Sequence, residues 1–358
     1  MATGWILVRC AFEAGAQSRS FESASHRASA SGSVRTGRYD LFGKGTRASA
    51  NEMFRISPMR LLPLFIALSV AASAQQADTA GLNARVKAKI GSFPGKVTLY
   101  AKNLDTGATY GIAPEQPVRT ASTIKLAIMV ECFAEAAEGK LKWTEPLRLI
   151  EEDKVSGTGI AQDLSNGDEL PIRDFVDLMI VLSDNTATNL ILDRIGGNAV
   201  NAQMAQLGFE QTRVMRKIRG DGTNLKAASG WTEEGAKAEN RKWGIGRSSP
   251  QEMVRLLEKL YRGELISKQA SDEMLAILKR QRDHDCIGRD LKDVVIANKS
   301  GSLDHLRSDV GIVYSKRGPI AMAITVEDIP EIDYTPDNPG DLLISGISEI
   351  LIDGLGSH

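Results

Sequence analysis

Leu82, Val86 and Ile90 recur four residues apart and are followed by Gly91, which predicts an opening helix with a glycine stop. The pattern then changes period. Val97-Thr-Leu-Tyr-Ala-Lys-Asn-Leu104 reads as a strand, and an Asp105-Thr-Gly107 turn leads to a second strand through Tyr110 and Ile112. From Ser122 to residue 282 the text is mostly helical, with apolar runs at 124–138, 172–182, 186–195, 199–207, 251–261 and 270–279. The run at 251 has a defined start, because Ser249-Pro-Gln-Glu252 forms a capping box with proline at the first helical position. Strands return at Val294-Val-Ile-Ala297, Val310-Gly-Ile-Val-Tyr314 and Ile320-Ala-Met-Ala-Ile-Thr-Val326, the last two joined by a Lys316-Arg-Gly318 turn. Leu342, Leu343, Ile347, Ile350 and Leu351 then outline a closing helix. Two early and three late strands predict one five-stranded antiparallel sheet built by both ends of the chain, with terminal helices and an inserted helical lobe. The fold class is α+β, and no internal repeat is present.

The first seventy-four residues stand apart. Around Met53 a short basic segment precedes Leu61-Leu-Pro-Leu-Phe-Ile-Ala-Leu-Ser-Val, and Ala72-Ser73-Ala74 follows. These are the three parts of a secretory signal with an A-x-A cleavage site, and the apolar run is too short to span a bilayer comfortably. Residues 1–52 are rich in Ser, Arg, Gly and Ala without an apolar period. They are expected to be a disordered or non-native extension, with Met53 or Met59 as the true start. The expected organisation is therefore 1–52 extension, 53–74 signal, 75–118 with 284–358 as an α/β lobe, and 119–283 as the helical lobe. A periplasmic or secreted monomer without a stable membrane anchor is expected once the signal is removed.

Composition narrows the function classes. The 358 residues carry 44 Lys+Arg against 45 Asp+Glu, with 42 % hydrophobic and 25 % charged residues, which is ordinary globular usage. The part from Gln75 onward holds 35 basic and 41 acidic residues, so no nucleic-acid partner is expected. Cys10, Cys132 and Cys286 are too few for a disulfide scaffold and lack C-x-x-C pairing. Cys132 falls in an apolar helix run and reads as a small core thiol. His284-Asp285-Cys286 has metal-ligand residue types but no second half at usable spacing, and it reads as a loop. Gly157-Thr-Gly159 and Gly244-Ile-Gly246 lack the third glycine and following helix of a dinucleotide loop. Neither a metal nor a cofactor is expected.

Three short motifs carry the candidate chemistry. In Ser122-Thr-Ile-Lys125 the lysine is followed by five apolar residues, which places an amine on a buried helix. Burial lowers a lysine's pKa toward that of a useful base. Ser122 lies one turn earlier on the same face, at the helix N-terminus, where free N–H groups favour developing negative charge. A capping serine beside a lysine that reaches solvent would give the same text. Ser183-Asp184-Asn185 interrupts two apolar helix runs, and alone it could be a helix cap. Lys299-Ser300-Gly301 ends a β-rich stretch and precedes Ser302; alone it could be an edge-strand lysine before a turn.

In the order S-x-x-K, S-D-N, K-S-G, the three together resemble class A serine β-lactamases and the related penicillin-binding proteins, which carry K-T-G as the third motif. The resemblance spans roughly residues 80–355 and includes Thr-Ala-Thr-Asn-Leu after Ser-Asp-Asn. It implies a β-lactamase/transpeptidase-like fold, an α/β sandwich lobe with an all-α lobe. It implies a serine hydrolase acting on β-lactams or on peptidoglycan stem peptides. Ser122 would be the nucleophile, Lys125 its base and Ser183 the proton relay to the leaving nitrogen. Asn185 would hold a substrate amide. Lys299 and Ser300 would face the substrate carboxylate, with Lys299 also supporting Ser183. The N–H groups of Ser122 and Ser302 would form the oxyanion hole. Arg307 is a candidate addition to the carboxylate site, although an exposed loop arginine is the commoner case.

One part of the resemblance fails. Class A enzymes place a glutamate on an Ω-shaped loop to activate the water that releases the acyl group. Counting forward from Thr212-Arg213 reaches Ile218; counting backward from Ser248-Ser-Pro250 reaches Glu233, with Lys237 where an asparagine is expected. Glu233, Glu234 and Glu239 are available in the long segment Lys217–Arg247, and none fits the pattern. A β-lactamase, a DD-peptidase acting on D-Ala-D-Ala ends, and a β-lactam sensor that acylates once are the readings left open. The sensor would need a membrane span, and nothing after residue 75 is long and apolar enough.

Overall fold

The computed structural model describes residues 80–219 and 230–356. The extension and signal read at 1–74 lie outside the described residues. Helix α1 (80–90) ends at Gly91, whose φ of +50° is the left-handed stop its sequence predicts. Strands β1 (Lys96–Asn103) and β2 (Thr109–Ile112) form the first hairpin, and β3 (Val118–Arg119) leads to the tight turn Ala121–Ile124. Helix α2 (Lys125–Ala137) follows directly. Strand β4 (Pro146–Arg148) pairs with β5 (Glu169–Pro171), and then come α3 (Ile172–Val181), α4 (Asn185–Ile195) and α5 (Gly197–Gln206). Strand β6 (Arg213–Val214), the short α6 (Glu233–Ala236) and β7 (Gly246–Ser248) precede α7 (Pro250–Arg262) and α8 (Lys268–Leu278). Strands β8 (Val295–Leu303), β9 (Leu306–Ser315) and β10 (Gly318–Glu327) and helix α9 (Pro339–Leu355) complete the chain.

The main sheet has the order β2-β1-β10-β9-β8, with every neighbouring pair antiparallel. Strand β1 thus pairs with β10, across more than two hundred residues of sequence. Alternation sorts β10 between two cores. Ile320, Met322, Ile324 and Val326 face a cluster with Leu82 and Val86 of α1 and Leu343, Ile347 and Leu351 of α9. Ala321 and Ala323 face the other cluster, which contains α2, α3 and α7. Both faces are covered, which explains why β10 reads as a continuous apolar run.

The cap of α7 is a variation on its predicted form. Ser249 Oγ accepts from the Glu252 N–H, but the Glu252 carboxylate does not close a reciprocal box. It accepts instead from the Gln211 and Thr212 N–H groups and from Thr212 Oγ1 at 2.7 Å, anchoring the segment that leads into β6. That segment belongs to a small sheet, β3-β7-β6, which leads the chain on both sides toward the cleft described below.

Candidate active site

Ser122 sits in the single turn Ala121–Ile124 just before α2. Its predecessor Ala121 has a φ of +47°, a conformation that costs a non-glycine residue of order 1–3 kcal/mol and holds only where the surroundings impose it. Here they do: Thr120 O accepts from both Thr123 N–H and Thr123 Oγ1, and Thr120 N–H donates to Gly246 O of β7. Strand β8 lies against the turn. A Cβ on Gly301 would stand 2.8 Å from Ser122 N and 2.9 Å from Thr120 O. Only a residue without a side chain permits that approach, which brings the third motif beside the first.

Lys125 is the first residue of α2 and is fully buried. A buried ammonium loses several kcal/mol of hydration and needs compensating partners. Its Nζ donates to Ser183 O at 2.7 Å, Ser183 Oγ at 3.2 Å and Asn185 Oδ1 at 3.2 Å. The i, i+3 spacing predicts a reach toward Ser122, yet all three of these bonds go to the second motif. Burial pushes the Lys125 amine well below the ordinary lysine range; the Lys299 charge adds to this and Asp184 opposes it.

Ser183 has a φ of +55°, a second strained non-glycine residue at the site. Its carbonyl accepts from Thr158 Oγ1 at 2.8 Å as well as from Lys125. Asn185 N–H donates to Thr158 O, and Asn185 Nδ2 donates to Ser156 O at 3.2 Å. Between them Asp184, fully buried, accepts from the N–H groups of Ile160 and Ala161 at 2.7 Å each, and it caps α4 through Ala187 N–H at 2.8 Å. One carboxylate therefore fixes both the helix start and the loop that covers the motif. Asp184→Ala strands two buried amides and one part-buried amide, and an unfolding free energy lower by about 3 kcal/mol is expected in urea titrations. An unchanged midpoint would contradict this.

Lys299 lies in β8, fully buried, and its Nζ donates to Ser300 O at 2.7 Å. Burial lowers its pKa to about 8, and the Asp283 and Asp309 carboxylates oppose that shift. Ser300 and Ser302 line the cleft together with Ser122, Ser183, Asn185 and Ile218, around a volume of about 910 Å³. This is enough for a drug-sized molecule. Ser122, Ser183, Asn185, Ser300 and Ser302 thus share one cavity, with Lys125 and Lys299 buried beside it.

A sequence profile of the beta-lactamase enzyme family matches residues 81–355. The chain belongs to that family. A beta-lactamase from Sphaerobacter thermophilus superposes with a TM-score of 0.66 at 28 % identity, over 77 % of this chain and 97 % of that one. PBP-A, in a leucine-to-glutamate variant solved as an acyl-enzyme complex with penicillin G, does so with a TM-score of 0.65 at 27 % identity, over 76 % and 96 %. A beta-lactamase from Streptomyces fradiae is 22 % identical over 304 residues, covering 81 % of this chain and 92 % of that protein.

Within this beta-lactamase fold the candidates for the loop base stay away from the cleft chemistry, and Arg307 departs from its exposed-loop reading. Ile218 is buried at the cleft wall, its backbone bracketed by Asn189, whose Nδ2 donates to Ile218 O at 2.9 Å while Oδ1 accepts from Ile218 N–H at 2.8 Å. Glu233 bonds Asn198, Glu234 bonds Lys237 and Asn240, and neither they nor Glu239 line the cleft. Arg307 is not an exposed loop arginine: it is 1 % exposed and forms an ion pair with Asp341 at 3.1 Å. The loop read at His284-Asp285-Cys286 contributes Asp285 to the cleft wall, and Asp283 just before it bonds Ser300 Oγ at 2.6 Å. Sequence reasoning missed Asp283, whose only signal was proximity to that cluster. Cys132 and Cys286 are both free and buried. Among the described residues no group of His, Cys, Asp and Glu is arranged to hold a metal ion, and no helix is long and apolar enough to cross a membrane.

Proposed function

We propose that the protein is a β-lactam-hydrolysing serine enzyme of the class A type, working through an ester on Ser122, with release of that ester as its slow step. The observation that carries this reading is the fully buried Lys125 amine, which donates to Ser183 and Asn185, two residues that line the same cleft as Ser122. In its neutral form the amine accepts the Ser122 proton as Oγ attacks the lactam carbonyl. The N–H groups of Ser122 and Ser302 receive the oxyanion. As the C–N bond breaks, the Ser183 hydroxyl protonates the leaving nitrogen and is reprotonated by the Lys125 ammonium. Asn185 contacts the substrate's side-chain amide. Water then hydrolyses the ester, restoring Ser122.

A second reading is favoured by Ile218. Among the described residues the cleft wall carries the aliphatic Ile218, and none of Glu233, Glu234 and Glu239 lines the cleft to activate that water. Slow release is the behaviour of a DD-peptidase acting on D-Ala-D-Ala ends. The signal pattern at 53–74 supports a periplasmic or secreted location, where either substrate is met.

Stopped-flow mixing with a chromogenic β-lactam tests the proposal. A burst stoichiometric with enzyme is expected, followed by a slower steady state, with the adduct mapping to the Ser122 peptide by mass. The acylation rate should fall as pH drops and protonates Lys125. It should fall again above about 8, as Lys299 loses its charge. Absence of any adduct would refute the proposal. Release over hours together with D-alanine liberation from a D-Ala-D-Ala peptide would select the second reading.

A further inference from the structure

The loop Gly157-Thr-Gly159, which fits no dinucleotide site, packs against the second motif, and its threonine is a group that the proposed reaction does not use. Two glycines make the approach possible. Gly157 and Gly159 have φ values of +110° and +105°, which favour a residue without a side chain. A Cβ on Gly157 would stand 2.6 Å from Asn185 Nδ2, and one on Gly159 would collide with the Asp184 carboxylate. Gln162 Nε2 donates to the Gly157 and Gly159 carbonyls at 3.0 and 3.3 Å, and Asn185 N–H donates to Thr158 O. So held, Thr158 turns its hydroxyl to the motif. Oγ1 donates to Ser183 O at 2.8 Å and stands 3.4 Å from Asn185 Oδ1.

Those same two oxygens accept from Lys125, at 2.7 and 3.2 Å, and Ser183 Oγ at 3.2 Å is its third acceptor. An ammonium has three N–H groups for three acceptors. The neutral amine that takes the Ser122 proton has only two, so one acceptor loses its donor whenever the amine is made ready. An oxygen left without a donor holds the lysine in its charged form. Thr158 removes that penalty, because the Ser183 carbonyl keeps the hydroxyl's proton whichever form Lys125 takes. The carbonyl belongs to a residue with a φ of +55°, so a donor that never changes its protonation also keeps the strained turn steady. The charges acting on Lys125 come from Lys299 on β8 and from Asp184 at the start of α4. Thr158 acts beside them without a charge of its own. It lines the cleft, where a bound substrate would cover it.

We propose that Thr158 is a positioning residue for the acylation step: its hydroxyl holds the Ser183 carbonyl independently of Lys125, and so frees the amine to be neutral when it takes the Ser122 proton. The inference rests on the acyl-enzyme reading of Ser122 and Lys125, and it makes the glycine-flanked loop a fourth part of the site.

The test is the pH profile of the limiting acylation rate, read by stopped flow with a saturating chromogenic β-lactam on the full-length protein. In Thr158→Val, which keeps the shape and loses the hydroxyl, and in Thr158→Ala, the Ser183 carbonyl depends on Lys125 alone. The acid limb of the profile should then move to higher pH by about one unit, lowering the rate about tenfold on that limb while the plateau changes little. Thr158→Ser keeps the donor and should restore the wild-type limb, which a merely structural residue would not do. An unmoved limb in both the Val and Ala variants, a loss of rate uniform across pH, or a serine variant that behaves like alanine would overturn the role of Thr158 and leave the reaction standing. If the wild type forms no adduct on Ser122, the acyl-enzyme reading itself falls, and this inference with it.

Discussion

Ser122→Ala should lower covalent capture of a fluorescent penicillin by about 10⁴-fold or more, below detection on a gel, because the proposed mechanism loses its attacking oxygen. The fold should survive. Ser122 lies in a turn held by Thr120 and Thr123 rather than by its own side chain, so the thermal midpoint is expected to stay level or rise, as is common when a functional polar group is removed. Undiminished labelling of the variant, with the adduct on another residue, would remove Ser122 from the mechanism.

The second large effect concerns release. Ile218→Glu places a carboxylate at the cleft wall, at a backbone position that Asn189 holds from both sides. General-base activation of water is worth about 10²–10⁴-fold. The decay of the penicillin ester should therefore quicken by about 10² or more, while acylation changes little. A cost in stability of about 1–3 kcal/mol is expected for exchanging a buried aliphatic side chain for an ionisable one. Mass spectrometry of the acylated protein over time reads the decay directly. A variant that folds and acylates but releases no faster would show that the slow step is set by something other than a missing base.

The helices and the five main strands were legible because each is long enough to show its period, and because glycine or a capping serine marks several ends. The small sheet β3-β7-β6 was not, since strands of two or three residues have no periodicity to read. The three motifs could be seen in one dimension, but their contacts could not. The Lys125 bonds to Ser183 and Asn185 span about sixty residues of sequence. Arg307 looked like a loop residue because the carboxylate that draws it inward, Asp341, arrives 34 residues later on α9. Asp283 was invisible for the same reason: its bond to Ser300 depends on where the α8–β8 connection crosses the cleft, and nothing local to Arg282-Asp283-His284 encodes that.

The pairing of β1 with β10 has a consequence for how the protein comes into being. Ser122 is synthesised early, but the strand that closes on it, β8, and the strand that completes the sheet, β10, are among the last parts of the chain to be made. Contacts so distant in sequence form late and slowly. A nascent or partly unfolded chain therefore holds Ser122 outside an assembled cleft, and hydrolytic competence doubles as a reporter that the early strand β1 and the late strands β8 and β10 have met.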